Sequence, residues 1–244
     1  MRVLIVSDIH SNYTALDTVL SVAGEYDQLW NLGDTIGYGP RPNECVVAMR
    51  ARADRMLSGN HDLACLGKID LSDFNPDART ANIWNGKQLA DDNRAELDGL
   101  APSMEVDDRF LLAHGSPREP VWEYLLSRAQ AEDNFELFTQ QVCFIGHSHV
   151  PLVVRLHPDG TCGDPMLGEA DTLFELEPGF RYFFNPGSVG QPRNQDPRAA
   201  YIILDTDANT VLFKRIEYDV PQTQRQMREA HLPPALIRRL EYGM

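Results

Sequence analysis

The sequence has few basic residues: 22 lysines and arginines stand against 36 aspartates and glutamates, which leaves a net charge of -14. Proteins that bind nucleic acid or anionic membranes without specificity take most of their affinity from basic patches. We therefore expect no non-specific binding to nucleic acid and no membrane partner. A small anionic substrate is still compatible with this charge, because a bound metal ion can reverse the local sign of the field.

Cysteine is also scarce, and long apolar runs are absent. The four cysteines are scattered without a C-x-x-C pair, and Cys143 lies inside a short apolar run. Free thiols in the core are therefore expected, rather than disulfides or a zinc site. The N-terminal apolar run is too short for a signal peptide, and no segment is long enough to span a membrane. Together these absences predict a cytoplasmic protein.

What the chain does contain near its N-terminus is an alternation of strands and helices. Short apolar runs predict strands at residues 3–6, 28–31 and 55–57, and helical patterns predict helices at 15–23 and 44–50. Such alternation is typical of a parallel sheet covered by helices. In open sheets of this kind, ligands bind beyond the carboxyl ends of the strands.

The rest of the chain predicts further strands and two helical segments. Mostly antiparallel strands are expected at residues 110–113, 142–145, 152–156, 173–176, 182–185, 199–204 and 211–216. Residues 63 to about 100 are a predicted helical insertion near the site, with Ile83, Trp84, Leu89, Leu97 and Leu100 at core spacing. A short helical tail is expected from about residue 221 to residue 244. With 43% hydrophobic residues, we expect one α/β domain over residues 1–244, built from two layered sheets flanked by helices.

Polar residues of the metal-ligand type follow five of the predicted strands. They are Asp8 and His10, then Asp34, then Asn60, His61 and Asp62, then His114, and finally His147 and His149. Any one of these histidines is better explained as a hydrogen-bonded strand end. Five such coincidences at the carboxyl edge of one sheet are improbable, and carboxylate, imidazole and amide oxygen are ligands that manganese, iron and zinc accept. The set therefore predicts a metal site.

The spacing of His147 and His149 indicates two metal ions rather than one. In an extended chain, residues two apart face the same way and lie about 6.6 Å from each other. These histidines are therefore better placed to reach neighbouring ions than to bind the same one. Two-metal hydrolytic sites hold their ions roughly 3.5 to 4 Å apart, with a carboxylate and a hydroxide between them.

The order of the blocks Asp-x-His, Gly-Asp, Gly-Asn-His-Asp, His-Gly and Gly-His-Ser-His resembles that of the calcineurin-like metallophosphoesterases, in particular the small bacterial and archaeal type. The resemblance extends over residues 1 to about 190 and implies a four-layer α/β/β/α sandwich of two mixed sheets. It also implies that Asp8, His10, Asp34 and His149 hold one ion, and that Asn60, His114 and His147 hold the other, with Asp34 as the bridge. By the same resemblance, His61 would contact the substrate phosphate or protonate the leaving oxygen.

One block departs from the related protein serine/threonine phosphatases and diadenosine tetraphosphatases. In "GDTIGYG", Gly37 stands where those enzymes have the aspartate that orients the histidine, and Tyr38 where they have an arginine that grips phosphate. We expect Tyr38 to line the substrate site, with Gly37 and Gly39 leaving room for a second organic group and the insertion as a lid. Arg193 or Arg198 would replace the missing arginine, and solvated surface charge is the alternative for both. Asp62 is an alternative partner for His61.

These features predict an enzyme that hydrolyses phosphoester bonds with two divalent metal ions and a metal-bridging hydroxide. The ions are drawn from manganese, iron, zinc, nickel and cobalt, with manganese favoured. A small or nucleotide phosphodiester is the expected substrate, and a phosphomonoester of a protein or nucleotide is the alternative. A non-catalytic scaffold of the same fold is disfavoured, because every ligand position and His61 are retained. No oligomeric state is predicted.

Overall fold

The computed structural model describes residues 1–244 as twelve strands and eight α-helices. The strands are β1 (Arg2–Val6), β2 (Gln28–Asn31), β3 (Arg55–Met56), β4 (Ser103–Glu105), β5 (Phe110–Ala113), β6 (Val142–Ile145), β7 (Leu152–Leu156), β8 (Met166–Leu167), β9 (Leu173–Glu175), β10 (Arg181–Asn185), β11 (Ala199–Asp205) and β12 (Thr210–Ile216). The helices are α1 (Tyr13–Val22), α2 (Pro42–Arg52), α3 (Asn60–Leu66), α4 (Pro76–Gln88), α5 (Asp91–Asp98), α6 (Arg128–Phe135), α7 (Val220–Glu229) and α8 (Pro234–Arg239). A 3₁₀ helix covers Leu71–Asp73. No helix is long and apolar enough to cross a membrane.

The strands form two mixed sheets of six strands each. The first has the order β3-β2-β1-β11-β12-β9, and the second has the order β4-β5-β6-β10-β7-β8. Strands β1, β2 and β3 are parallel, as are β5, β6 and β10, and every other pair is antiparallel. The predicted pair of mixed sheets is therefore confirmed.

The central strands are nearly continuous apolar runs because both of their faces are covered. In β1, Val3 and Ile5 pack in the core between the two sheets. Leu4 and Val6 point the other way and pack under α1 and α2. In the second sheet, Phe183 packs on its outer face, in the cluster that also contains residues of α6. Helices therefore cover the outside of both sheets, and the four-layer α/β/β/α sandwich is confirmed.

The predicted insertion and tail are helical, and they pack against each other. Ala78 and Ala81 of α4 lie in one buried cluster with Leu236 and Ile237 of α8. Tyr38, in the loop after β2, belongs to the same cluster. The two segments therefore meet beside the loop that carries a predicted site residue.

Within the insertion, some of the predicted core residues are buried and others are not. Leu89 and Leu97 are buried and Leu100 packs partly against their cluster, but Ile83 is 43% exposed and was wrongly placed in the core. Trp84 is only partly buried. Because α4 packs on one side only, its apolar residues on the other side face solvent.

Three elements were not predicted. Strands β4 and β8 have only three and two residues, too few to show a periodic pattern. Helix α6 has the sequence RAQAEDNF, with few apolar residues, although its Ser127–Gln130 capping box is a local start signal. All four cysteines are free and buried, as expected.

We expect Phe184→Ala to lower the free energy of unfolding by about 3–5 kcal/mol, because it leaves a cavity between the sheets. The Phe184 ring is fully buried and packs 5.6 Å from the Tyr182 ring and 6.0 Å from the Phe144 ring, between centroids. Chemical denaturation measures the change. Leu173→Ala, at a side chain 55% exposed, is the matched control and should change it by less than about 0.5 kcal/mol. Equal losses in both variants would contradict the placement of this core.

Candidate metal centre

The predicted ligands meet at one end of the sandwich, but they come from two sheets and not from one. Asp8 and Asp34 follow β1 and β2 of the first sheet, whereas His114 and His147 follow β5 and β6 of the second. The backbone N–H of His147 donates to Oδ2 of Asp8 at 3.1 Å, which joins the two edges. The expectation of a single sheet edge was wrong, because the stacked sheets place the carboxyl ends of their parallel strands side by side.

The side chains form two buried groups that share one carboxylate. The ligand atoms of Asp8, His10, Asp34 and His149 lie within 4.8 Å of one another, and so do those of Asp34, His114 and His147. The Oδ1 atom of Asn60 lies 3.2 Å from Nε2 of His114 and adds an amide oxygen to the second group. His147 and His149 therefore fall into different groups, and Asp34 belongs to both.

The reason for the split between His147 and His149 differs from the one predicted. Their φ angles are 63° and 58°, and Asp8, His10 and Asp34 also have φ angles between 48° and 53°. This is the left-handed region, so the two histidines are not in an extended strand. Such a conformation costs a residue with a side chain about 1–2 kcal/mol. Strain of this kind gathers at functional sites, where the surrounding structure holds it in place.

Hydrogen bonds to backbone carbonyls fix the tautomer of each histidine. Three rings donate Nδ1–H: His10 to Ile36 O (3.3 Å), His114 to Leu32 O (2.9 Å) and His149 to Gln191 O (2.6 Å). His147 instead donates Nε2–H to the carbonyl of Trp122 at 3.1 Å. The first three therefore offer Nε2 to the cluster, and His147 offers Nδ1. Such outer hydrogen bonds are typical of histidines that ligate metals.

Each carboxylate in the cluster has one satisfied and one unsatisfied oxygen. Oδ2 of Asp8 accepts from Ser7 Oγ at 2.7 Å, and Oδ1 of Asp34 accepts from the His61 N–H at 2.8 Å. Oδ1 of Asp8 and Oδ2 of Asp34 are buried without any hydrogen-bond donor. They lie 3.3 Å from Nε2 of His149 and 3.5 Å from Nε2 of His114, respectively. Because a buried carboxylate oxygen without a partner is costly, these residues fit two divalent cations.

The protonation of the cluster is consistent with cation binding. Burial lowers the pKa of His10 and His149, and lowers that of His147 to about 3, so these rings are neutral near pH 7, the form that binds metal. Burial, together with the charge of Asp34, raises the pKa of Asp8 to about 7. Although burial opposes it, the Asp34 carboxylate raises the pKa of His114 to about 9, so a metal ion bound at Nε2 would displace a proton from this ring. Two carboxylates this close without a cation cannot both ionise freely.

His61 stands beside the cluster and is held by a residue that the sequence analysis missed. Its Nδ1–H donates to Oδ1 of Asn82, on α4, at 2.8 Å, which leaves Nε2 free. A Cβ at Gly37 would lie 2.9 Å from Nδ1 of His61 and 3.1 Å from Oδ1 of Asn82. Gly37 was expected to leave room for substrate. Instead, it leaves room for the His61–Asn82 pair. No pattern in one sequence marks Asn82, since it lies in a helix 21 residues away.

Gly39 and Asp62 also have other roles than those expected. A Cβ at Gly39 would collide with the carbonyl of His10, so this glycine allows the backbone to approach and leaves no space for substrate. Asp62 does not partner His61. Its carboxylate accepts from the backbone N–H of Ile36 and of Gly59, both at 3.0 Å, and so fixes the loop after β2.

A cavity of about 270 Å³ opens onto the cluster. It is lined by the polar residues Asn60, His61, Asp73, Asn75 and His147, the aromatic residues Tyr38, Phe74, Trp122 and Tyr124, and the arginines Arg193 and Arg239. Tyr38 and Arg193, which were predicted to bind substrate, therefore line a cavity beside the ligand groups. Arg198 does not, because it pairs with Asp196 at 2.6 Å beside a different cavity. Arg239, in the helical tail, was missed.

The chain matches known proteins along most of its length. The model of the calcineurin-like phosphoesterase superfamily domain matches residues 1–209. The crystal structure of a metallophosphoesterase from Sphaerobacter thermophilus has 45% identity, covers 100% of this chain and 99% of its own, and superposes with a TM-score of 0.92. An uncharacterized protein of Methanocaldococcus jannaschii is 34% identical over an alignment of 247 positions, which covers 99% of this chain and 98% of the relative.

A more distant similarity covers only part of the chain. The symmetrical bis(5′-nucleosyl)-tetraphosphatase of Chromohalobacter salexigens is 32% identical over 114 residues, 46% of this chain and 35% of the relative. The chain therefore matches about a third of that protein's length.

We expect Asp34→Asn to lose metal more completely than any other single ligand change, since Asp34 belongs to both groups. Elemental analysis after reconstitution should find about two ions per chain in the parent protein and far fewer in the variant. The melting temperature of the parent should rise with added metal, because a ligand of the folded state stabilises it. Asp73→Asn, which alters a cavity carboxylate outside both groups, should keep both ions. An Asp34→Asn variant that also holds two ions would contradict the shared role.

Proposed function

The chain belongs to the calcineurin-like phosphoesterase superfamily, and on that premise we propose that it hydrolyses a small or nucleotide phosphodiester with two divalent metal ions. The observation that carries this proposal is the pair of ligand groups sharing Asp34, each with a buried carboxylate oxygen that has no donor. Asp8, His10, Asp34 and His149 would hold one ion, and Asp34, Asn60, His114 and His147 the other. A non-catalytic scaffold would have no reason to keep this set.

When bound, the two ions would supply an activated water and neutralise charge on the phosphoryl oxygens. Manganese is the metal we favour among those that accept imidazole, carboxylate and amide oxygen, which also include iron and zinc. The four free cysteines support a reducing, cytoplasmic location.

In this proposal His61 contacts the substrate phosphate or, in its imidazolium form, donates the Nε2 proton to the leaving oxygen. Asn82 holds Nδ1, so the Nε2 edge of the ring is the one available to substrate. Burial lowers the pKa of His61 to about 4, and a neutral amide stabilises an imidazolium less than a carboxylate would. The Tyr38 ring lies 4.2 Å from the His61 ring, between centroids, and restricts its movement. His61 is therefore positioned by contacts on two sides.

One structural feature and one chemical argument support a diester over a monoester substrate. The cavity has an aromatic wall, where the Phe74 and Trp122 rings lie 5.3 Å apart, and an organic group can pack there. A diester also needs less charge neutralisation than a monoester dianion. Arg193 is the observation that favours the alternative, a phosphomonoester, because it brings a guanidinium into the cavity.

The first experiment on this function compares metal-loaded and chelated protein. Chelation should abolish hydrolysis of bis(p-nitrophenyl) phosphate, and manganese should restore it. The diester should have a higher kcat/KM than p-nitrophenyl phosphate. Failure of the reconstituted protein to hydrolyse either ester would refute the proposed activity. A monoester preference of about tenfold or more would refute only the diester assignment.

A second experiment tests His61 and Asn82 together. His61→Ala should lower turnover by roughly 10², and Asn82→Ala should cause a smaller loss. If both changes affect proton donation, each loss should be larger for an alkyl leaving group than for p-nitrophenolate, which needs no proton. Asn82→Asp keeps the acceptor and should recover activity. Metal content should stay near two ions in all variants; equal losses for both leaving groups would show a merely structural role.

A further inference from the structure

Two arginines share the cavity without an acidic side chain to pair with either. Arg193 donates from Nη2 to the Tyr38 hydroxyl at 3.2 Å and to Oε1 of Gln191 at 3.1 Å, both neutral groups. Its Nε is buried with no acceptor. Arg239 is partly buried and donates from Nε to the main-chain oxygen of Met244. In a chain with 36 acidic residues, two cavity guanidinium groups that pair with no aspartate or glutamate side chain indicate an anion site.

The two guanidinium groups lie against the same ring. Their central carbons are 5.8 Å (Arg193) and 5.9 Å (Arg239) from the centroid of Tyr38. The Tyr38 ring in turn lies 4.7 Å from the His10 ring and 4.2 Å from the His61 ring. One aromatic ring therefore contacts both guanidinium groups and the ring of the predicted ligand His10, which places the two positive charges beside the ligand groups.

The two charges also repel each other. Burial lowers the pKa of Arg239, and the nearby Arg193 lowers it further. Asp73 lines the same cavity but is exposed to solvent, and it pairs with neither arginine. Like charges held together in this way are stabilised by a shared anion, and phosphate oxygens match the two-pronged geometry of guanidinium.

We propose that Arg193 and Arg239 form a second-phosphate subsite, so that the substrate is an organic ester of diphosphate or of a longer polyphosphate. This inference rests on the proposed function, because it presumes that the ligand groups hold the scissile phosphate. A diester phosphate carries a single negative charge, which two divalent ions already match. A second phosphate accounts for the positive charges of Arg193 and Arg239. The aromatic wall of Phe74 and Trp122 accommodates the organic group.

The tail is part of this subsite because it places Arg239. Leu236 and Leu240, on either side of Arg239 in the last helical segment, are buried in the cluster that contains Ala78 and Ala81 of α4. Arg238, the neighbouring residue, is exposed to solvent and lines no part of the cavity. It therefore supplies a matched control for the loss of one arginine from this segment.

The test uses two substrates that differ by one phosphate: the p-nitrophenyl esters of AMP and of ADP, with the same nucleoside and the same leaving group. In the manganese-loaded parent, kcat/KM for the ADP ester should exceed that for the AMP ester by about tenfold or more. Arg239→Ala and Arg193→Ala should each bring this ratio close to one, and Arg238→Ala should preserve it. Equal losses on both esters would overturn the proposal and assign the arginines to the scissile phosphate.

Calorimetry gives a readout that does not depend on turnover. The methylene-bridged analogue of ADP should bind the manganese-loaded parent about tenfold more tightly than AMP, and Arg239→Ala should remove this difference. If neither ester is hydrolysed but the binding difference is present and depends on Arg239, the proposed activity fails while the subsite stands. If the parent binds both nucleotides equally, the subsite is refuted whatever the activity.

Discussion

The carboxylate of Asp34 is the group on which the rest of the site depends. Its Oδ2 lies 3.6 Å from Nε2 of His10 and 3.5 Å from Nε2 of His114, so it joins ligands from both sheets. Its Oδ1 accepts the N–H of His61 and so holds the start of α3. A Cβ at Gly59 would collide with this oxygen. The glycine before Asn60 is therefore needed for the backbone to approach the carboxylate, which gives a physical reason for the Gly-Asn-His-Asp block.

The parts of the fold that could be predicted from sequence are those with a repeated signal. Strands β2, β5, β6 and β7 have the predicted bounds because each is a short run rich in buried apolar residues, and β5 and β6 are apolar throughout. The polar residues that follow the predicted strands also identified the side chains that gather in the cluster. The assignment to one sheet edge could not be corrected from sequence, since strand order depends on packing between distant segments and not on local pattern.

Asn82 and Arg239 are site residues that could not be predicted from a single sequence. Both lie in helices and follow no predicted strand, and neither residue belongs to a recognisable motif. Their importance comes from position: Asn82 meets His61 across 21 residues of sequence, and Arg239 reaches Tyr38 across some two hundred. The insertion and the tail are therefore parts of the site itself. Each supplies a polar group that the core sandwich lacks, and their mutual packing sets the shape of the cavity.

The left-handed backbone of the ligand residues has a consequence for how such a protein can change over evolution. Asp8, His10, Asp34, His147 and His149 all adopt a conformation that glycine tolerates far better. While metal is bound, ligand side chains are required there and the strain persists. In a descendant that gave up metal, these positions would gain stability by drifting to glycine or asparagine. The residues at these five positions therefore indicate whether a lineage has kept its metal site.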